Sequence, residues 1–128
     1  MYSSPPIHGA LIVKEVLSDD ALRAQYYDEC AQMAERIGGM RVRLREEIEA
    51  AGSEHDWTHV TDQIGMFAFT GLTAPQVRSM RAVEHVYCTE NGRMSLAGLA
   101  AADVPYVAAA VKRATDAIPY EARVAVAA

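Results

Sequence analysis

From Leu22 onward, apolar residues recur every three or four positions, as Leu22, Tyr26, Cys30, Met33, Ile37, Met40, Leu44 and Ile48. This spacing lays one apolar stripe along an α-helix. Ser18 offers an N-cap oxygen, Asp19 and Asp20 add negative charge at the helix start, and Gly52 supplies a stop. A helix over residues 19–51 is therefore predicted, about 50 Å long at 1.5 Å per residue. A compact domain of this chain length has a radius of gyration of roughly 14 Å, so it is roughly 36 Å across. The predicted helix outruns its own domain, and its overhanging stripe calls for another domain or subunit to cover it. Gly38 and Gly39 cost about 2 kcal/mol together relative to alanines and mark the place for a kink.

Ahead of this helix, Leu11, Ile12, Val16 and Leu17 predict a short helix between Gly9 and Ser18. The opening "MYSSPPIHG" is extended by its prolines, because Pro5 restricts Ser4 and Pro6 restricts Pro5. It has the character of a connector to a preceding partner.

The second half changes period. Residues 63–71, "QIGMFAFTG", place Ile64, Met66 and Ala68 on one side and Gly65, Phe67 and Phe69 on the other, the pattern of a strand covered on both faces. Thr73-Ala74-Pro75 starts a helix that Val77, Met80, Arg81 and Glu84 continue to about His85. "VYCTENGRMSLAG" predicts a hairpin: a strand over residues 86–90, the turn Asn91-Gly92, whose residues tolerate positive φ, and a strand over residues 93–97. Asp103 and Pro105 open a last helix with Val104, Val107, Ala108, Val111 and Ile118 on its buried face. The expected fold class is α/β in the α+β sense, a long helix followed by a small mixed sheet with helices packed on one side. The expected organisation is a connector and short helix over 1–18, the main domain over 19–118, and a flexible tail over 119–128.

With 51% hydrophobic and 23% charged residues, the 128-residue chain can bury the core of one domain. Its net charge of -5 argues against a dedicated nucleic-acid binder. Arg41, Arg43 and Arg45 are flanked by Glu35, Glu46, Glu47 and Glu49 and read as a charge-mixed helix face. Cys30 and Cys88 lack C-x-x-C spacing and read as half-buried thiols, with a disulfide left open. His8, His55, His59 and His85 lack the paired helical spacing of a zinc enzyme, since His55 and His59 are four apart but "SEHDWTHV" reads as loop entering a strand, and no phosphate-binding glycine loop occurs. Membrane spanning is not expected either, since there is no apolar run of about 18 residues.

The remaining candidate chemistry is Arg93. In the predicted strand Arg93, Ser95 and Ala97 point one way, while Met94 and Leu96 point into the core. A guanidinium fork matches a carboxylate through two parallel hydrogen bonds and stays charged at any working pH. By spacing alone, Arg93 reads first as a solvated arginine, and nothing in the spacing singles it out.

Three segments add a resemblance. "YSSPPIHGA" at 2–10, "DWTHVTDQIGMFAFTGL" at 56–72 and "NGRMSLAGL" at 91–99 resemble, in that order and in register, the C-terminal part of the aspartate aminotransferases, pyridoxal-phosphate enzymes of fold type I. The resemblance implies that Arg93 binds the substrate α-carboxylate and that Phe67 lines the same cleft. It also implies that Ser3 and Ser4 lie near the active site of the neighbouring subunit of a homodimer, although many members carry Asn where Ser4 stands. Ala100 replaces a hydroxyl residue at the start of the last helix.

The family's Schiff-base lysine sits in a serine-rich motif, which neither Lys14 nor Lys112 does. The implied activity, transfer of an amino group between L-aspartate and 2-oxoglutarate with pyridoxal 5'-phosphate as cofactor, therefore belongs to a complete enzyme whose cofactor domain and true N-terminus lie upstream. Its substrates would be an amino acid and a 2-oxo acid, and its compartment cytoplasmic, mitochondrial or plastid. Two alternatives stay open: a non-catalytic docking or assembly module, and an aminotransferase for aromatic amino acids.

Overall fold

A computed structural model describes residues 4–118. Ser3 and the expected tail over 119–128 lie outside the described residues. The element order is α1 (His8–Ser18), α2 (Asp20–Ala50), α3 (Thr58–Asp62), β1 (Phe67–Phe69), α4 (Ala74–Val83), β2 (Arg93–Ser95), a 3₁₀ turn (Ala101–Asp103) and α5 (Val104–Ala117). The chain divides into two compact units, Met1–Glu35 and Arg36–Ala128, so α2 belongs to both.

In the first unit the two predicted helices form, but their junction shifts by one residue. Ser18 is still helical, so Asp19 takes the capping position, its Oδ1 accepting from the backbone N–H groups of Ala21 and Leu22 at 2.9 Å each. None of the described residues before Met40 is buried. Leu11, Ile12, Val13, Tyr26, Tyr27 and Met33 are all exposed. The apolar stripe is thus used only in its second half, where Met40, Leu44 and Ile48 are buried and Ile37 is partly so.

α2 ends as expected at Gly52. Its φ of +86° lets Gly52 N–H donate to Glu49 O at 2.9 Å and Ser53 N–H to Ile48 O at 3.3 Å, a left-handed cap that satisfies the last carbonyls.

The core of the second unit joins Leu44 and Ile48 of α2 to Trp57, Val60, Leu72, Val77, Met80, Met94 and Leu96, and to the α5 face of Val104, Val107, Ala108 and Val111. Trp57 is fully buried and donates its indole N–H to Ser53 Oγ at 2.8 Å. At the start of α4, Gln76 returns its side-chain oxygen to the Thr73 N–H at 2.8 Å, the N3 half of a capping box. Asp103 does precede α5, yet its carboxylate makes no capping bond.

The sheet differs from expectation. Among the described residues it has two strands, β1 and β2, antiparallel, with Phe67 opposite Ser95, Ala68 opposite Met94 and Phe69 opposite Arg93. No parallel pairing, which a mixed sheet needs, forms there. Residues 86–89 take no strand, and Val86 N–H instead donates to Met80 O at 3.3 Å at the end of α4. The predicted hairpin survives as a turn in which Thr89 N–H donates to Arg93 O at 3.2 Å and Gly92 N–H to Thr89 O at 2.8 Å. Nor is β1 covered on both faces: Ala68 is buried, while Phe67 and Phe69 are exposed.

Candidate functional site

Gly92 sets the site. Its φ is +83°, and a Cβ placed there would meet Leu72 O at 2.7 Å and Leu72 N at 3.0 Å, so only glycine fits. The Gly92 carbonyl accepts from both Thr70 N–H, at 3.0 Å, and Thr70 Oγ, at 2.8 Å, which locks the turn to the end of β1. Asn91 does not share the positive φ expected for it. Its side-chain oxygen instead accepts from Arg93 N–H at 3.2 Å and from the Thr89 hydroxyl at 2.6 Å, shaping the turn from within. Glu90 turns toward Arg78 at 3.1 Å.

Arg93 then enters β2 with its side chain on the exposed face while Met94 is buried beneath. Its guanidinium carbon lies 4.6 Å from the centroid of the Phe67 ring, the diagonal neighbour across the ladder. Among the described residues the guanidinium meets no carboxylate and no hydrogen-bond acceptor. An exposed cation seated on an aromatic face, with its planar donors unspent, is arranged to take a carboxylate. Phe69 stands on the same face, directly opposite Arg93.

The outer edge of β1 has no strand beside it, and two side chains take that role. Gln63 accepts from Phe69 N–H at 2.7 Å and donates to Phe69 O at 2.9 Å, mimicking a ladder partner. Arg41 occupies the rest. It is 4% exposed and donates to Val60 O at 3.0 Å, Ile64 O at 3.2 Å, Gly65 O at 2.7 Å and Phe67 O at 2.6 Å.

The expected charge-mixed face is therefore wrong for Arg41. A buried guanidinium satisfied by carbonyls serves the loop ahead of β1, and burial pulls its pKa below the usual arginine value. The sequence carried a signal for it, since Arg41 stands at helical spacing with Ile37, Leu44 and Ile48. Gln63 carried none.

Of the other candidates, Ser4 belongs to the first unit and is exposed. Ser3 is not described. His59 is a buried histidine whose Nε2 lies 3.1 Å from Thr70 O. Both cysteines are free, and burial pushes the Cys88 thiol up despite nearby Arg81. Among the described residues no three His, Cys, Asp or Glu side chains gather as metal ligands, and no helix is long and apolar enough to cross a membrane. Lys112, the only lysine of the second unit, is bonded to Asp116 along α5, and Lys14 is on α1 in the first unit. The donors gathered beside Phe67 thus fit a carboxylate, and they do not make an anchor for a pyridine cofactor.

Residues 1–111 match the family of aminotransferases of class I and II. A mitochondrial aspartate aminotransferase of Arabidopsis thaliana is 47% identical over 115 residues, which cover 90% of this chain and 27% of the relative. Similar relatives are designated cytoplasmic and chloroplastic. Among solved structures, a mitochondrial aspartate aminotransferase from Trypanosoma brucei superposes with a TM-score of 0.85 at 45% identity, covering 90% of this chain and 30% of its own. An aromatic amino acid aminotransferase from Psychrobacter sp. B6, cocrystallised with aspartic acid, gives 0.83 at 40% identity, with coverage of 89% and 29%. The chain spans about a quarter of the length of the curated relatives it matches.

Proposed function

The chain belongs to the class I and II aminotransferase family, and from that premise we propose that it forms the C-terminal, small-domain part of an aspartate aminotransferase. In this proposal Arg93 binds the α-carboxylate of the substrate, and the complete enzyme moves an amino group between L-aspartate and 2-oxoglutarate. The observation that carries it is the Arg93 guanidinium, exposed on β2, without an acceptor among the described residues and seated 4.6 Å over Phe67.

Two parallel hydrogen bonds from a rigid fork fix both the position and the rotation of the bound amino acid, which aligns its reacting carbon. Phe67 supports the fork from beneath and presents an apolar wall to the substrate. Pyridoxal phosphate, when bound, supplies the electron sink for the transfer. The residues gathered at Arg93 do not fit its anchoring, so holding it falls to residues beyond this chain. Ser3 and Ser4 belong, on the same proposal, near the partner subunit's site in a homodimer, and the small domain runs over 19–118.

Arg93→Lys in the complete enzyme tests the assignment. A point charge makes one of the two bonds, so kcat/KM for aspartate should fall by roughly 10- to 100-fold, the equivalent of about 1.5–3 kcal/mol for a hydrogen bond between charged groups. An unchanged kcat/KM would remove Arg93 from the substrate site. The match to an aromatic amino acid aminotransferase supports a second reading with the same role for Arg93, and the ratio of kcat/KM for aspartate and tyrosine decides between the two.

A further inference from the structure

We propose that Arg41 is a positioning residue for the Arg93 site: by binding the carbonyls of the loop ahead of β1 and of Phe67 itself, it fixes the ring on which the Arg93 guanidinium rests. The inference rests on the assignment of Arg93 as the carboxylate site and adds what holds that site in place.

Four carbonyls converge on this one side chain. Val60 O belongs to α3, Ile64 O and Gly65 O to the loop, and Phe67 O to β1. The loop needs such a clamp. Ile64 is 94% exposed and Gly65 takes a φ of +84°, so neither apolar packing nor regular backbone bonding fixes its path. On its inner edge β1 is held by β2, including Leu96 N–H to Met66 O at 3.0 Å. On its outer edge the Phe67 carbonyl has, among the described residues, Arg41 alone.

The same helix also reaches the far flank of β2. Arg36 donates to Ala97 O at 3.3 Å and Leu99 O at 2.8 Å. A buried cation used only to fill space would be a poor choice, since its desolvation is costly without acceptors. Its acceptors are all backbone carbonyls, so what it stabilises is the course of residues 60–67. The one functional side chain on that course is Phe67.

The test is carried out on the full 128-residue chain labelled with ¹⁵N. The Nε–Hε cross-peak of Arg93, assigned by its loss in Arg93→Lys, senses the ring current of Phe67, and Phe67→Leu gives its position without the ring. Arg41→Met should move the Arg93 peak most of the way toward the Phe67→Leu position and should add no further shift in the Phe67→Leu background. Arg41→Lys, which keeps a charge but loses the fork, should fall between. An Arg93 peak left in place by Arg41→Met, in a spectrum that stays dispersed, would overturn the inference. Should Arg41→Met fail to fold, Arg41→Lys carries the same comparison, and an unmoved peak there has the same meaning. Adding succinate to the wild-type chain reports on the carboxylate site separately. An Arg93 peak indifferent to succinate counts against that site while the Arg41 comparison stands.

Discussion

Gly92 shows how much one residue can decide. Its backbone sits where a Cβ would strike Leu72, and its carbonyl holds Thr70. Gly92→Ala should therefore lower stability by about 1–3 kcal/mol, through both the positive φ and the steric contact, with urea unfolding as the measure. Cys88 offers a second check. Because burial raises its pKa, the neutral thiol persists to higher pH than in an unfolded chain. Alkylation of Cys88 should lag behind that of a free cysteine near neutral pH and catch up only as pH rises. The same shift makes stability fall as pH climbs past the ordinary thiol pKa, since the unfolded chain then loses a proton that the folded one keeps. An alkylation profile matching that of the unfolded chain would contradict the partly buried placement.

At the scale of elements, the sheet is held as much by side chains as by strands. Gln63→Met keeps the bulk but removes both hydrogen bonds to the exposed Phe69 backbone, at a cost of about 1–2 kcal/mol. Denaturant unfolding of the variant measures this, and a change within 0.5 kcal/mol, the usual range for surface substitutions, would mean that the edge of β1 does not depend on Gln63.

Helices α1, α2, α4 and α5 were legible in the sequence because their signals are local: the stripe of α2, the left-handed stop at Gly52, and the Thr73-Ala74-Pro75 start of α4; α3, over Thr58–Asp62, was missed, since five residues are too short to show a helical period. Arg93 and Met94 alternated as expected for the same reason. The pairing of the strands was not legible, since nothing in "VYCTENGRMSLAG" says that β2 will bond to residues 25 or so earlier in the chain rather than to its neighbour across the turn. Arg41 was misread because a segment of mixed charge describes a solvated face by composition, whereas burial depends on which partner the helix meets.

For the molecule as a whole, the contrast between its two units is the main physical fact. The second has a core around Trp57, Leu44 and Leu96, while the first buries none of its described residues. Amides of residues 8–35 should exchange with solvent far faster than those of α5, because helices without packing open locally. Comparable protection in both regions would show that the first unit is covered in solution. The family match extends across both units.

The most direct measurement is a crystal structure of the complete enzyme containing this sequence, with succinate bound. One carboxylate of succinate is expected on the Arg93 fork, both oxygens at about 2.7–2.9 Å from its nitrogens, with the Phe67 ring beneath. Succinate bound elsewhere, with the Arg93 fork turned to solvent, would contradict it.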